Sequence, residues 1–392
     1  MELPVTNHKD YFAKIGDDHK FPIEKFGELA KYLLKKKIVN KFKTPSPCSE
    51  KTLERVHSRI YIQHIKNKTL DQNGVRKIGF PLVDSVVQRS LVATGGTVLA
   101  SKLAIKCGIA CNTAGGSHHA NFEGGAGYCV FNDVAVAAQY LLDRGLVGRI
   151  LIVDLDVHQG NGNSDIFRDN KNVFTFSMHS KSNYPAKKSV SDLDVELEDN
   201  MEDKKYLKIL NFHLNQLNKE NFDYVFYIAG VDIHFNDRLG KLKISDEGIK
   251  KRDELVIENF SSKRIPICGV LGGGYNKDFN KSIQDVNLVI AGWNSTTYLE
   301  VLALDIPTVL FWKPNLFELN IDAAMLFEEL KKVGIFHENP LSAAMHVMEI
   351  WDDIDVWWSN PDVVKAKNNF INTYVKPVDL INNLNIELRK LS

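Results

Sequence analysis

The residues with the most chemistry to offer stand in one stretch, Ile150–Gly162, read ILIVDLDVHQGNG. Asp154, Asp156 and His158 fall at every second position. Side chains on an extended chain alternate faces, so these three share one face while Val153, Leu155 and Val157 take the other. Two carboxylates and an imidazole at the end of an apolar run are costly to bury unless their charge is offset, and a bound cation is a common offset. An Asp–x–His pair presents one hard oxygen and one imidazole nitrogen, donors that suit a divalent ion such as Zn²⁺. Taken alone, the stretch also fits a solvated loop with a capping aspartate.

Four further groups stand at the ends of other apolar runs. GGSHHANFEGGAGYC (115–129) carries the adjacent pair His118 and His119 between glycine-rich flanks, which let backbone approach a ligand closely. NVFTFSMH (172–179) ends in Ser177 and His179, FDYVFYIAG (222–230) leads into Asp232, and IPICGVLGGGY (265–275) ends in three glycines and Tyr275.

The elements that must position these groups alternate along the chain. Strands are predicted over 107–114, 150–158, 172–179, 222–230 and 265–275. Helices are predicted over 23–34, after Ser49 as N-cap, over 79–104, from Asn132-Asp133 onward, over 203–219 and over 246–263. The 79–104 helix is expected to be broken, or closely packed, at Gly95-Gly96. The acidic segment SDLDVELEDN (191–200) reads as a solvated loop, and Lys35–Lys37 as a solvated helix end. Strand-helix alternation with polar groups at the strand ends predicts an α/β fold. Its doubly wound, mostly parallel sheet carries helices on both faces, and its ligand crevice lies outside the carboxyl ends of the strands.

Composition narrows the function class. The 392 residues balance 49 Lys+Arg against 49 Asp+Glu, so no global field favours direct binding of nucleic acid or an anionic membrane. No apolar run approaches the ~20 residues of a membrane span, and the Met1 region lacks the apolar core of a secretory signal. The five cysteines are scattered without a C-x-x-C pair, which predicts reduced thiols and a cytoplasmic protein.

In chain order, GGSHHA, GYCVFNDVAVAA, DLDVHQGNG, FSMH, AGVDIHFNDRLG and LGGGY resemble the zinc-dependent histone deacetylase family. The HQGNG form, IGFP at 78–81 and the VDxxxxDRLG segment resemble its class IV branch and bacterial relatives. The resemblance covers about residues 5–283 and implies an arginase/deacetylase-like sheet and a metal-dependent amidohydrolase. It implies Asp156, His158 and Asp232 as ligands of Zn²⁺, or of Fe²⁺ in vivo, and His118 and His119 as a tandem general acid and base. Tyr275 would donate to the oxyanion. Asp154 would bond a tandem histidine and, with Ser177, help hold a structural monovalent cation such as K⁺. Asn161 stands where some branches carry Asp, which would leave His119 less basic, and Gly127 and Tyr128 would line the acyl channel. The implied substrate is an N-acyl amine: a protein lysine, a polyamine or an amino sugar. A non-catalytic acyl-amine or sugar-binding module of the same fold is the alternative. Arginase-like enzymes resemble the fold but use two manganese ions; here Gly160 and His234 stand where the added ligands would be, and His234 is expected at the rim or just behind the ligands rather than as a ligand.

From about Asp285 the chain changes character. VNLVIAGWNSTTYLEVLALDIPTVLFW (286–312) reads strand, loop, helix, strand, and helices follow near 319–333, 341–355, 360–372 and 378–390. The segment resembles the nucleotide-sugar-binding half of two-domain glycosyltransferases of surface-carbohydrate synthesis. We therefore expect two domains, a deacetylase-like one over 1–283 and a small, partial Rossmann-like, glycosyltransferase-like α/β extension over 284–392, the alternative being a helical cap that makes a homo-oligomer or the substrate rim.

Overall fold

The apolar runs pair into one seven-stranded sheet. Its strands are β1 (Val5–Thr6), β2 (Ile109–Asn112), β3 (Ile150–Asp154), β4 (Val173–Ser180), β5 (Leu193–Leu197), β6 (Tyr224–Ile228) and β7 (Ile267–Val270). They lie in the order β1-β2-β7-β6-β3-β4-β5, and each pairing is parallel. This is a computed structural model, and it describes residues 3–16, 19–276, 287–292, 296–313 and 321–374.

Both faces of the sheet are covered, which is why its central strands read as unbroken apolar runs. Along β3, Ile150 and Ile152 enter the core beneath helices Asp84–Cys107 and Asp133–Asp143, while Leu151 and Val153 enter the core beneath Asp203–Leu217 and Asp246–Ser261. The alternation outlasts the strand: Leu155 and Val157 still enter the second core. Asp154, Asp156 and His158 therefore fall on the other side, as their spacing requires.

Strand order fixes where a ligand can sit. From β3 the chain builds outward through β4 and β5; from β6 it builds the opposite way through β7. The reversal lies between β3 and β6, and the carboxyl-end crevice of an open α/β sheet opens at such a point. The loops after β3 and β6 carry Asp156, His158 and Asp232.

Three expectations need revision. Residues 191–200 are not a loop: Leu193–Leu197 forms the edge strand β5, paired in parallel with β4. The acids at 194 and 196 alternate with Leu193, Val195 and Leu197, a half-buried edge pattern that charge content masked. Of the two expectations at Gly95-Gly96, close packing holds: the helix over Asp84–Cys107 runs unbroken there. Close packing explains the glycines: a Cβ at Gly95 would lie 2.0 Å from the Ser46 carbonyl oxygen, and one at Gly96 2.0 Å from the Tyr11 hydroxyl. At the other positions the helix start at Asn132 holds, its side chain accepting from the Ala135 N–H.

The chain divides into two compact units, Met1–Asn276 and Lys277–Ser392. The second has its own three-stranded parallel sheet, β10-β9-β8, of β8 (Val289–Ala291), β9 (Thr308–Phe311) and β10 (Phe336–His337). The two-residue β10 is the second revision, too short to leave a periodic signal. Tyr298, Trp312, Phe327, Phe336 and Phe370 build an aromatic core there. Helices span Thr296–Ala303, Ile321–Lys332 and Pro361–Tyr374; the third revision is that the one expected over 341–355 is two, Pro340–Ile350 and Ile354–Trp358. The helix expected at 378–390 lies outside the described residues. Among the described residues no helix is long and apolar enough to cross a membrane.

Candidate active site

Where β3 and β6 end, three donors converge. His158 Nδ1 lies 3.0 Å from Asp156 Oδ1 and 3.0 Å from Asp232 Oδ2. All three residues are buried, and their ligand atoms lie within 4.8 Å of one another, the one such group among the described residues. Backbone N–H groups hold the carboxylates: Gly273 donates to Asp156 Oδ2 (2.6 Å) and Val157 to Asp232 Oδ1 (2.9 Å). A Cβ at Gly273 would stand 2.0 Å from Asp232 Oδ2, so only glycine fits there.

The charges explain what the group needs. Burial, then the Asp156 carboxylate, pushes Asp232 up from the usual carboxylate range. Burial would lower His158, but Asp156 and Asp232 outweigh it and raise the imidazole to about 10. A proton on His158 Nδ1 thus stands between two carboxylates, where a cation would serve them better. Two oxygens and one imidazole nitrogen fit a divalent ion and leave a coordination position open.

The tandem histidines stand against this group but have different partners. His118 Nδ1 is 2.7 Å from Asp154 Oδ2, and His119 Nδ1 is 2.7 Å from Asn161 Oδ1. Their ring centroids are 4.1 Å apart, and His119 meets His158 at 5.8 Å. Burial lowers both imidazoles. For His118, Asp154 and Asp156 reverse that and lift it to about 9. For His119, burial and then the charges of His118 and His158 hold it well below the ordinary histidine value. One imidazole is therefore protonated at neutral pH and its neighbour is free to accept a proton.

Tyr275 lies buried with its ring edge-on to His158, centroids 6.0 Å apart. Burial, then Asp156 and Asp232, pushes its phenol well above the usual tyrosine value, so its O–H remains a donor. The cysteines offer no rival nucleophile in this crevice: burial drives Cys129 up to about 12. Tyr128 meets Tyr275 at 5.9 Å, and Gly127, at φ +53°, is pressed against His119. A Cβ on Gly127 would lie 2.6 Å from His119 Cδ2. Gly127→Ala is therefore expected to displace the His119 ring and lower kcat by on the order of 10²-fold with metal content unchanged. Wild-type turnover by that variant would contradict the contact.

The remaining residues sort by contact. Ser177 pairs with Asp154 in the β3–β4 register, and its hydroxyl lies 2.9 Å from His179 Nδ1; neither joins the metal group. His234 turns away, its Nε2 3.5 Å from Asp246. Two site neighbours escaped the sequence reading. Tyr184 sets its ring edge-on to His119 at 4.9 Å, from a loop whose sequence, SNYP, carries no periodic signal. Lys25 starts a helix that reads as amphipathic, yet its Nζ donates to the Gly272 and Gly274 carbonyls at 3.3 and 3.2 Å. Burial lowers that ammonium to about 8.

Residues 19–290 match the family described as Histone deacetylase domain, and residues 241–388 match the LIC12162 family transferase, the two overlapping over 241–290. An uncharacterized protein of a Picosynechococcus strain is 44% identical, over 74% of this chain and 97% of its own length. Histone deacetylase 2 of Arabidopsis thaliana is 33% identical, over 70% of this chain and 74% of its own. The crystal structure of an HDAC homolog complexed with SAHA shares the fold, with a TM-score of 0.61 at 23% identity, over 70% of this chain and 80% of that one. This chain belongs to the histone deacetylase domain family, whose members are deacetylase-type hydrolases.

Proposed function

We propose that this protein hydrolyses the amide of an N-acyl amine, using one Zn²⁺ or Fe²⁺ held by Asp156, His158 and Asp232. One observation carries the reading: the three-donor group borders two imidazoles whose proton affinities are driven in opposite directions. When bound, such an ion supplies Lewis-acid polarisation of the substrate carbonyl and ionises water near neutral pH. His119, neutral and held by Asn161, accepts the proton of the attacking water. His118, kept protonated by Asp154, delivers a proton to the leaving amine. Tyr275 donates its O–H to the oxygen on which negative charge develops. Gly127 and Tyr128 line the path of the acyl chain, and Asp154 with Ser177 supports a monovalent cation such as K⁺.

The deacylase function is assigned to residues 1–283 of a class IV-like cytoplasmic enzyme. Residues 284–392 form an extension that serves homo-oligomerisation. Among the described residues the extension has three strands, too few to enclose a cleft between a donor and an acceptor domain, so we assign it no transferase activity of its own. The transferase match beside the deacetylase domain favours amino sugars as one arm of the substrate search.

Metal analysis together with a screen of acyl-lysine peptides, acylpolyamines and N-acetyl amino sugars tests the reading. Turnover of one class by metal-loaded protein, abolished by chelation, is the expected result. A metal-loaded protein that binds these ligands without cleaving any of them would make it a binding module. Sugar transfer from a nucleotide-sugar donor by the full chain would overturn the assignment of the extension.

A further inference from the structure

The site leaves one acid unused. Asp237 follows Asp232 on the same loop, is half-buried, and its carboxylate faces two ways. Oδ1 accepts the backbone N–H groups of Leu239 (2.8 Å) and Gly240 (3.0 Å), closing the 237–240 turn. Oδ2 accepts the N–H of Tyr275 at 2.7 Å. The turn is pressed against Asp232: a Cβ on Gly240 would lie 1.7 Å from the Asp232 carbonyl oxygen. One side chain thus ties the Asp232 loop to the segment that carries Tyr275.

That segment needs a tie. Residues 272–274 are glycines, and Gly272 and Gly274 have φ of +68° and +141°, so the backbone before Tyr275 has no side chain to pack. Gly272 N–H reaches Gly115 O, Gly273 N–H reaches Asp156, Val231 N–H reaches Gly273 O, and Lys25 Nζ reaches the Gly272 and Gly274 carbonyls. None of these bonds the Tyr275 N–H itself. The Asp237 carboxylate does, through a charge-assisted hydrogen bond, the stronger kind.

We infer that Asp237 is a positioning residue that sets where the Tyr275 hydroxyl stands relative to Asp156, His158 and Asp232. The inference rests on the oxyanion role proposed for Tyr275. Asp237→Asn separates the carboxylate's two contacts. An amide has one accepting oxygen and an NH₂ that only donates. Two backbone donors converge on the Oδ1 side, so the amide oxygen turns to them and the turn survives. The NH₂ then faces the Tyr275 N–H, donor against donor, and the tyrosine loses its acceptor. Asp237→Ser, whose hydroxyl also closes such a turn but is too short to reach Tyr275, serves as a second variant.

The test is a double-mutant cycle on the full-length, metal-loaded protein, with metal content and melting temperature measured beside kcat and KM. The substrate is the acyl amine that the screen returns. Asp237→Asn and Asp237→Ser are expected to lower kcat on the order of 10–10²-fold, with KM and metal content held. In the Tyr275→Phe background either change should cost nothing further. Penalties that multiply would overturn the positioning role while leaving Tyr275's own role intact. Loss of metal from Asp237→Asn, or its wild-type kcat, would overturn the positioning role too. Wild-type kcat in Tyr275→Phe alone would overturn both the positioning and the oxyanion roles.

Discussion

Asp232→Ala and Asp156→Ala proteins should purify without stoichiometric divalent metal and lose turnover on the order of 10³-fold or more. Lewis-acid polarisation is worth several kcal/mol, and each ~1.4 kcal/mol is a factor of ten in rate. The two carboxylates are not spare donors. Both meet the same His158 nitrogen at 3.0 Å, so removing either leaves one oxygen and one nitrogen donor. Loss of a mere outer partner costs metal affinity roughly 10–100-fold; loss of one donor of three should cost more. Stoichiometric metal in either variant would refute the ligand assignment. The pH dependence follows from the same contact. In the metal-free group a proton rides on His158, raised to about 10 by its two carboxylates, and an entering ion must displace it. Binding should therefore release protons, and affinity should weaken as pH falls. Calorimetry in buffers of different ionisation heat measures that release.

How much of this site could be read without coordinates depended on local spacing. Asp154, Asp156 and His158 declare themselves because a period of two persists through β3 and one turn beyond it, where Leu155 and Val157 still point into the opposite core. His118-His119 and the LGGGY segment are likewise contiguous in sequence. Strand order is not local, yet it brings Asp232, 74 residues from His158, within hydrogen-bond distance. Lys25 and Tyr184 were invisible for the same reason. Lys25 reaches residues 247 and 249 positions away, and nothing in the amphipathic helix it begins distinguishes it from a solvated lysine. β5 was missed for a different cause: an edge strand with one wet face carries acids at alternate positions, and their charge outweighed the period.

His119→Ala should lower kcat on the order of 10²–10⁴-fold while the metal stays bound, because no member of the three-donor group is touched. His119 is the imidazole free to accept a proton: burial and the neighbouring positive charges of His118 and His158 depress it, and Asn161 gives it a hydrogen bond but no charge. A divalent ion beside His158 would push in the same direction. A base depressed below the ordinary histidine value is deprotonated at neutral pH, so activity should fall only as pH drops below that value. The acid limb of kcat/KM should accordingly lie below about pH 6.5. Asn161→Asp places an anion at the same 2.7 Å contact and favours the imidazolium, so the acid limb should move up by about one unit or more. At pH 6 the variant should therefore be slower relative to wild type than at pH 8. If the acid limb of Asn161→Asp coincided with that of the wild type, another group would be the titrating base, and His119→Ala with near-normal kcat would remove it from the chemistry altogether.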